Sequence, residues 1–66
     1  MTIVVNGRRT EHEGTVADLV EAHSGDRRAR GIAVALNGVV LARAIWEECR
    51  PIDGDRVEIV TAVQGG

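Results

Sequence analysis

Residues 2–20, TIVVNGRRTEHEGTVADLV, contain the signals that decide the fold of this chain. Thr2–Val5 reads as a strand, and Asn6-Gly7 follows it between two β-like segments. That arrangement is typical of a hairpin with a type I′ turn, which needs positive φ at both central residues. Arg8–Glu13 is expected to return as a polar strand at the edge of a sheet. The chain is therefore predicted to open with a β-hairpin.

A helix is expected directly after this hairpin. Gly14 interrupts the strand, Thr15 can accept hydrogen bonds from the free amides of a first helical turn, and Asp18 completes an approximate capping box. The helix should end at Ser24-Gly25. Its apolar positions recur at helical spacing and should face the sheet, namely Val16, Leu19 and Val20. Past the helix, the arginines at 27, 28 and 30 are expected to lie in a solvated loop.

The second half of the chain predicts three more strands. Residues 32–36 and 39–41 flank a second Asn-Gly pair, and residues 42–53 read as irregular. Residues 56–63 form the final strand after an Asp-Gly-Asp turn. A hairpin, one helix and later strands predict an α+β fold, in which the helix covers one face of a mixed sheet. In such a fold the final strand would pair in parallel with the first strand, at the centre of the sheet.

The final strand should present two different faces. Val57 and Ile59 would point into the core, whereas Glu58, Val60 and Ala62 would lie on the opposite face. We predict that partner proteins bind this opposite face, since Val60 and Ala62 would form a modest apolar patch there. The domain would span residues 1–62.

Composition excludes several functions. The formal net charge is −2 and the chain has a single aromatic residue, so we expect no nucleic-acid partner, which would call for a basic patch and usually for aromatic stacking platforms. All eight basic side chains are arginine, so no lysine of this chain can receive the tail of another copy. The apolar runs are too short to cross a bilayer, which argues against a membrane role. The single cysteine, Cys49, excludes an internal disulfide and a cysteine-based metal site. A chain of 66 residues cannot enclose a sizeable cofactor cavity and also keep a core, so no permanently bound cofactor is expected. No metal is expected either, because no residue pairs with His12 or His23 at the spacing of metal ligands. An unpaired thiol without a signal peptide indicates the cytoplasm.

The sequence ends in Val63-Gln64-Gly65-Gly66, which we expect to be a flexible tail spanning residues 63–66. A terminal diglycine closes no turn, and glycine without a Cβ can enter a slot too narrow for other residues. The reactive group at its end is the carboxylate of Gly66. We therefore expect Gly66 to carry the chemistry, and Val63, Gln64 and Gly65 to present it.

Five segments together resemble one known family. They are MTIVVNG at 1–7, LNG at 36–38, RAIW at 43–46, DGDRVEI at 53–59 and the final GG at 65–66. The chain resembles the ThiS family, the sulfur carriers of thiamine biosynthesis, within the ubiquitin-like β-grasp superfamily. The resemblance covers essentially the whole chain and implies the β-grasp fold.

The same resemblance implies a function for the tail. In the family, an E1-like adenylating enzyme of the ThiF type uses ATP to adenylate the terminal glycine carboxylate. A persulfide sulfur donor then supplies sulfur, and a thiazole synthase of the ThiG type takes it from the resulting thiocarboxylate. By this resemblance, Gly66 would carry the sulfur. The chain would be a recycled co-substrate without catalytic residues of its own, rather than an enzyme.

Several alternatives stay open. The chain could be the small subunit of molybdopterin synthase, which uses the same thiocarboxylate chemistry. It could instead be a ubiquitin-like modifier joined to lysines of target proteins, or an interaction module whose tail does no chemistry. Trp46 could be a lid over the core or an anchor for a partner. Cys49 is expected to be a small half-buried side chain rather than a persulfide carrier, since no motif marks it as reactive.

Overall fold

The computed structural model describes residues 1–27 and 30–61. The strands are β1 (Thr2–Val5), β2 (Arg8–Glu11), β3 (Ile32–Leu36), β4 (Val39–Leu41) and β5 (Arg56–Thr61); the helices are α1 (Val16–Ser24) and a short 3₁₀ helix (Arg43–Ile45). The predicted order of hairpin, helix, short strands and final strand is confirmed.

One boundary and one segment differ from the sequence-based prediction. The returning strand ends at Glu11 instead of Glu13, because Glu11 already pairs with Thr2 at the start of β1 and no further strand residue faces it. The segment predicted to be irregular contains the 3₁₀ helix, in which the backbone amides of Ile45 and Trp46 donate to the carbonyls of Ala42 and Arg43. Both differences are local and leave the order of elements unchanged.

The five strands form one mixed sheet in the order β2-β1-β5-β3-β4. β5 lies at its centre, parallel to β1 and antiparallel to β3, as predicted. β1 pairs with β5 only through Val4 and Val5, whereas β3 accompanies β5 from Leu36 opposite Val57 to Ile32 opposite Thr61. The later part of β5 is therefore paired with a strand on one side only.

Both Asn-Gly pairs form the predicted hairpin turns. Asn6 and Gly7 have φ of 50° and 82°, and Asn37 and Gly38 have φ of 50° and 85°. Positive φ at both central positions defines the type I′ geometry, which matches the twist of the flanking strands. In each turn the side chain of the asparagine also contacts β5.

The core is aliphatic and lies between α1 and one face of the sheet. Val57 and Ile59 point into it, with 1% and 5% of their surface exposed, and the helix contributes Val16, Leu19 and Val20 as predicted. Each such side chain stabilises the fold by about 1.5–3 kcal/mol relative to an exposed position. The hydrophobic alternation of the strands thus fixes which face of β5 is left for solvent.

The start of α1 is bonded both locally and to the segment around Trp46. The predicted capping box is present, since Thr15 accepts from the Asp18 amide and Asp18 accepts from the Thr15 amide. The Val16 and Ala17 amides donate to the carbonyls of Cys49 and Trp46, over 2.8 and 3.0 Å. Amides of a first helical turn have no partner within the helix, so these long-range bonds attach residues 46–49 to α1.

Trp46 closes one end of this core. Only 2% of its surface is exposed, and its indole Nε1 donates to the Leu41 carbonyl over 3.2 Å. The guanidinium of Arg43 lies over the ring, 5.1 Å from its centroid. A tryptophan that is this deeply buried has little surface left for a partner. The burial therefore favours the lid over the partner anchor.

Arg27 contacts three carboxylates instead of standing free in a solvated loop, which corrects that expectation for this residue. Its guanidinium reaches Asp18 at 2.6 Å, Glu21 at 3.2 Å and Glu47 at 3.3 Å. Glu47 follows the 3₁₀ helix, so Arg27 joins α1 to the segment around Trp46. Arg30 is exposed, and Arg28 lies outside the described residues.

The Asp18 carboxylate makes stability depend on pH. The Thr15 backbone amide, the Arg27 guanidinium and the Thr15 hydroxyl lower the pKa of Asp18 to about 2. A group whose pKa is lower in the folded state stabilises that state above its ordinary pKa, and this contribution is lost as pH falls through the folded pKa. Asp18→Asn should therefore flatten the loss of stability between about pH 5 and pH 2.

The measurement is the midpoint of urea unfolding across this pH range. Glu48→Gln, which removes an exposed carboxylate, is the matched control and should follow the wild-type curve. An Asp18→Asn curve as steep as that of the wild type would show that Asp18 is not the titrating group.

Candidate functional site at the end of the central strand

Thr61, the last residue of β5, is the last described residue before the predicted tail. Ala62, Val63, Gln64, Gly65 and Gly66 lie outside the described residues, and so does the proposed domain boundary at residue 62. The sulfur-carrying role of Gly66 and the presenting role of the residues before it stay predictions. The structure does describe the strand from which these residues continue, together with the surface around it.

Glu58 and Val60 lie on the face of the sheet opposite α1, as predicted. Both are exposed, and Val60 exposes 59% of its surface. The neighbours of Val60 on this face follow from the register. Ala33 stands opposite Val60, and Ala35 stands opposite Glu58 on one side and opposite Val40 on the other. Val40 exposes 74% of its surface.

We call Val60, Ala33, Ala35 and Val40 the outer patch. Alternation within each strand does not join the two alanines to Val60, because that step needs the strand order. The patch consists of small side chains on an open sheet face, and its Val60 end is one residue before Thr61. An exposed apolar surface can serve as a protein-binding site.

Charged side chains occupy the other end of the same face. Arg56, at the start of β5, stands opposite Val4, and Val4 stands opposite Arg9 of β2. The two arginines therefore flank Val4, while Glu58 lies between Arg56 and the outer patch. A partner that covers the outer patch would lie next to the point from which the chain continues toward Gly66.

The cysteine and the two histidines occupy positions that the fold explains. Cys49 is half-buried and packs against the core, as expected of a small structural side chain. His12 is half-buried, with Nε2 3.0 Å from the Thr15 carbonyl, and His23 is exposed in the last turn of α1.

Among residues 1–27 and 30–61, no group of three or more His, Cys, Asp and Glu side chains is arranged to hold a metal ion. None of the helices in the same residues is both long and apolar enough to span a membrane.

A five-stranded mixed sheet with a central parallel pair and one covering helix defines a ubiquitin-like β-grasp protein. The family can also be stated. The model of the ThiS family matches residues 3–66, and the chain belongs to this family.

Solved structures agree with that assignment. The crystal structure of a thiamine biosynthesis protein, ThiS, from Geobacter metallireducens is 31% identical, with a TM-score of 0.79 and 100% of both chains covered. A solution NMR structure of a thiamine biosynthesis protein from the same organism is 32% identical, with a TM-score of 0.75; the alignment covers 100% of this chain and 88% of that one. A comparison with curated proteins gives no significant match. Together these findings support a role as a sulfur carrier in thiamine biosynthesis.

Proposed function

We propose that this protein is a sulfur carrier whose Gly66 carboxylate is adenylated and converted to a thiocarboxylate that donates sulfur for thiazole formation. The observation that carries the proposal is the extent of the family match, which spans residues 3–66 and so includes the diglycine. The full-length similarity to thiamine biosynthesis proteins favours thiazole over molybdopterin as the destination of the sulfur.

The chemistry has to begin with activation, because a carboxylate is a poor electrophile. A Gly66 carboxylate oxygen attacks the α-phosphorus of ATP, and pyrophosphate leaves. The terminal sulfur of a donor persulfide then attacks the Gly66 carbonyl carbon, AMP leaves, and an acyl disulfide forms. A second thiol of the donor cleaves the sulfur–sulfur bond. The thiocarboxylate is released, and the two donor sulfurs are left oxidised as a disulfide.

The protein itself would supply a reactive end and a docking surface. Glycines at 65 and 66 allow the backbone groups of a partner to approach closely, and Val63 and Gln64 add main chain that can pair with a partner strand. The outer patch would bind the ThiF-type adenylating enzyme and then the ThiG-type thiazole synthase. ATP would be held by the adenylating enzyme, so the carrier is a recycled co-substrate. Its free Cys49 suits the reducing cytoplasm.

Reconstitution with a ThiF-type enzyme tests this function. Exchange of labelled pyrophosphate into ATP should require the carrier, because the reverse of adenylation needs the acyl-adenylate. Adding the persulfide donor should then convert the carrier to a species in which one oxygen is replaced by sulfur. If the enzyme is active with its own carrier but catalyses no exchange with this chain, the proposal is wrong.

The docking role of the outer patch predicts a selective defect for Val60→Arg. A charge buried in a protein interface should raise the KM of the adenylating enzyme for the carrier by about tenfold or more. The stability of the carrier should change by no more than about 0.5 kcal/mol, as is usual for exposed positions.

Val39→Arg is the matched control for this prediction. Val39 exposes 65% of its surface, but it stands opposite the core-facing Leu36 and so is not on the outer face. Equal KM values for the Val60 and Val39 variants would remove the outer patch from the docking surface.

A further inference from the structure

The early end of β1 leaves part of β5 without a partner strand. The Val4 and Asn6 amides donate to the carbonyls of Asp55 and Val57, both over 2.9 Å, in the pattern of a parallel ladder. If β1 continued, the Ile59 amide would donate to the backbone carbonyl of residue 6, and the Ile59 carbonyl would accept from the amide of residue 8. The backbone instead turns away at Asn6, where φ is 50°.

The side chain of Asn6 replaces both missing groups. The Ile59 amide donates to Asn6 Oδ1 over 2.8 Å, and Asn6 Nδ2 donates to the Ile59 carbonyl over 3.1 Å. Both bonds are partly buried. The side-chain amide of Asn6 thus provides the hydrogen-bond acceptor and donor that the backbone of residues 6 and 8 would provide if β1 continued.

Asn37 makes a related contact at the opposite end of β5. The backbone amide of Asn37 donates to the Arg56 carbonyl over 2.7 Å, and its side-chain Oδ1 accepts from the Arg56 backbone amide over 2.9 Å. The two asparagines occupy equivalent turns, but Asn37 holds the first residue of β5 and Asn6 holds a residue near its end. Asn37 is therefore an internal control for Asn6.

We infer that Asn6 is a positioning residue for the C-terminal tail, which it serves by bonding both backbone groups of Ile59. The inference rests on the proposed function, because only a reactive terminus makes the end of β5 important. Ile59 is followed by Val60 of the outer patch and by Thr61. On the other side these two residues pair with Ala33 and Ile32 of β3. Asn6 therefore anchors the second edge of β5 at Ile59, one residue before Val60 and two before Thr61.

Asn6→Gly separates this role from turn formation. A Gly-Gly pair suits a type I′ turn, so the hairpin should persist while both side-chain bonds are lost. Amide hydrogen exchange at Ile59 should become about tenfold faster, which corresponds to one net hydrogen bond of about 1.4 kcal/mol. Asn37→Gly should accelerate exchange at Arg56 and leave Ile59 protected. Equal exchange at Ile59 in the wild type and Asn6→Gly would overturn the inference.

Asn6→Asp adds a pH-dependent rescue. A protonated aspartic acid at this position can accept from the Ile59 backbone amide and donate to the Ile59 carbonyl, as the side-chain amide of Asn6 does. The ionised carboxylate has no donor. The protection of Ile59 relative to its intrinsic exchange rate should therefore increase in this variant as pH falls through the pKa of the introduced carboxyl. Protection that is independent of pH would contradict the two-bond role of Asn6.

Adenylation kinetics supply the functional test. Asn6→Gly should lower kcat/KM of the ThiF-type enzyme for the carrier by about tenfold relative to Asn37→Gly, although both variants lose contacts to β5. Equal losses in the two variants would show a general effect of stability and overturn the positioning role. If the wild-type chain is not adenylated at all, the proposed function fails, and the exchange rates still decide whether Asn6 holds Ile59.

Discussion

Deletion of Gly66 is expected to abolish sulfur loading while leaving the domain folded. The deletion retains a terminal carboxylate on Gly65, but it withdraws that group by about 3.5 Å. A misplacement of about 1 Å already costs roughly a hundredfold in a positioned reaction, so adenylation should fall by at least that factor. Pyrophosphate exchange with the ThiF-type enzyme measures the loss, and urea unfolding should give the wild-type midpoint.

Cys49→Ala is the control for this deletion. Cys49 is the single thiol of the chain and is half-buried against the core, so its removal should leave sulfur loading close to the wild-type level. Sulfur loading that survives deletion of Gly66 but is lost in Cys49→Ala would show that the thiol of Cys49 carries the sulfur. It would contradict the proposed role of the terminal carboxyl.

Trp46→Ala should produce the largest loss of stability of any variant considered. The ring is 2% exposed and packs over an otherwise aliphatic core, and truncating a buried tryptophan typically costs about 3–5 kcal/mol. A domain of this size has little stability to spare, so the variant should be largely unfolded at room temperature. Circular dichroism and urea unfolding measure the effect.

Trp46→Phe separates the volume of the ring from its hydrogen bond. Phenylalanine keeps an aromatic side chain but loses the Nε1 donor to the Leu41 carbonyl. We expect a smaller loss, of about 1–3 kcal/mol, that leaves the chain folded. A Trp46→Ala protein with normal stability but no affinity for the adenylating enzyme would show that Trp46 is a partner anchor after all.

The features that were predicted from the sequence are those that local chemistry determines. Positive φ at Asn6-Gly7 and Asn37-Gly38 sets both hairpins, and Thr15 with Asp18 sets the start of α1. Alternation of apolar residues along β5 determines that Val57 and Ile59 face the core and that Val60 faces solvent. Each of these signals is contained within a few neighbouring residues.

The contacts that the sequence did not predict join distant parts of the chain. Asn6 bonds Ile59, which is 53 positions away, and Arg27 reaches Glu47, 20 positions away. Both side chains had an adequate local interpretation, as a turn residue and as a loop arginine. Their partners become apparent only when the strand order and the position of the 3₁₀ segment are known. For the same reason, the outer patch could not be assembled from alternation alone.

Accurate-mass spectrometry of the C-terminal peptide, purified from the native cells, tests the central claim most directly. The proposal predicts a fraction of the peptide in which one oxygen of the Gly66 carboxyl is replaced by sulfur, and this fraction should react with a thiocarboxylate-selective alkylating reagent. The C-terminal peptide is used because oxidation of Met1 gives the same nominal shift on the intact protein, and accurate mass distinguishes the exchange of oxygen for sulfur from the addition of oxygen. Recovery of Gly66 only in isopeptide linkage to lysines of other proteins would contradict the carrier function and indicate a protein modifier.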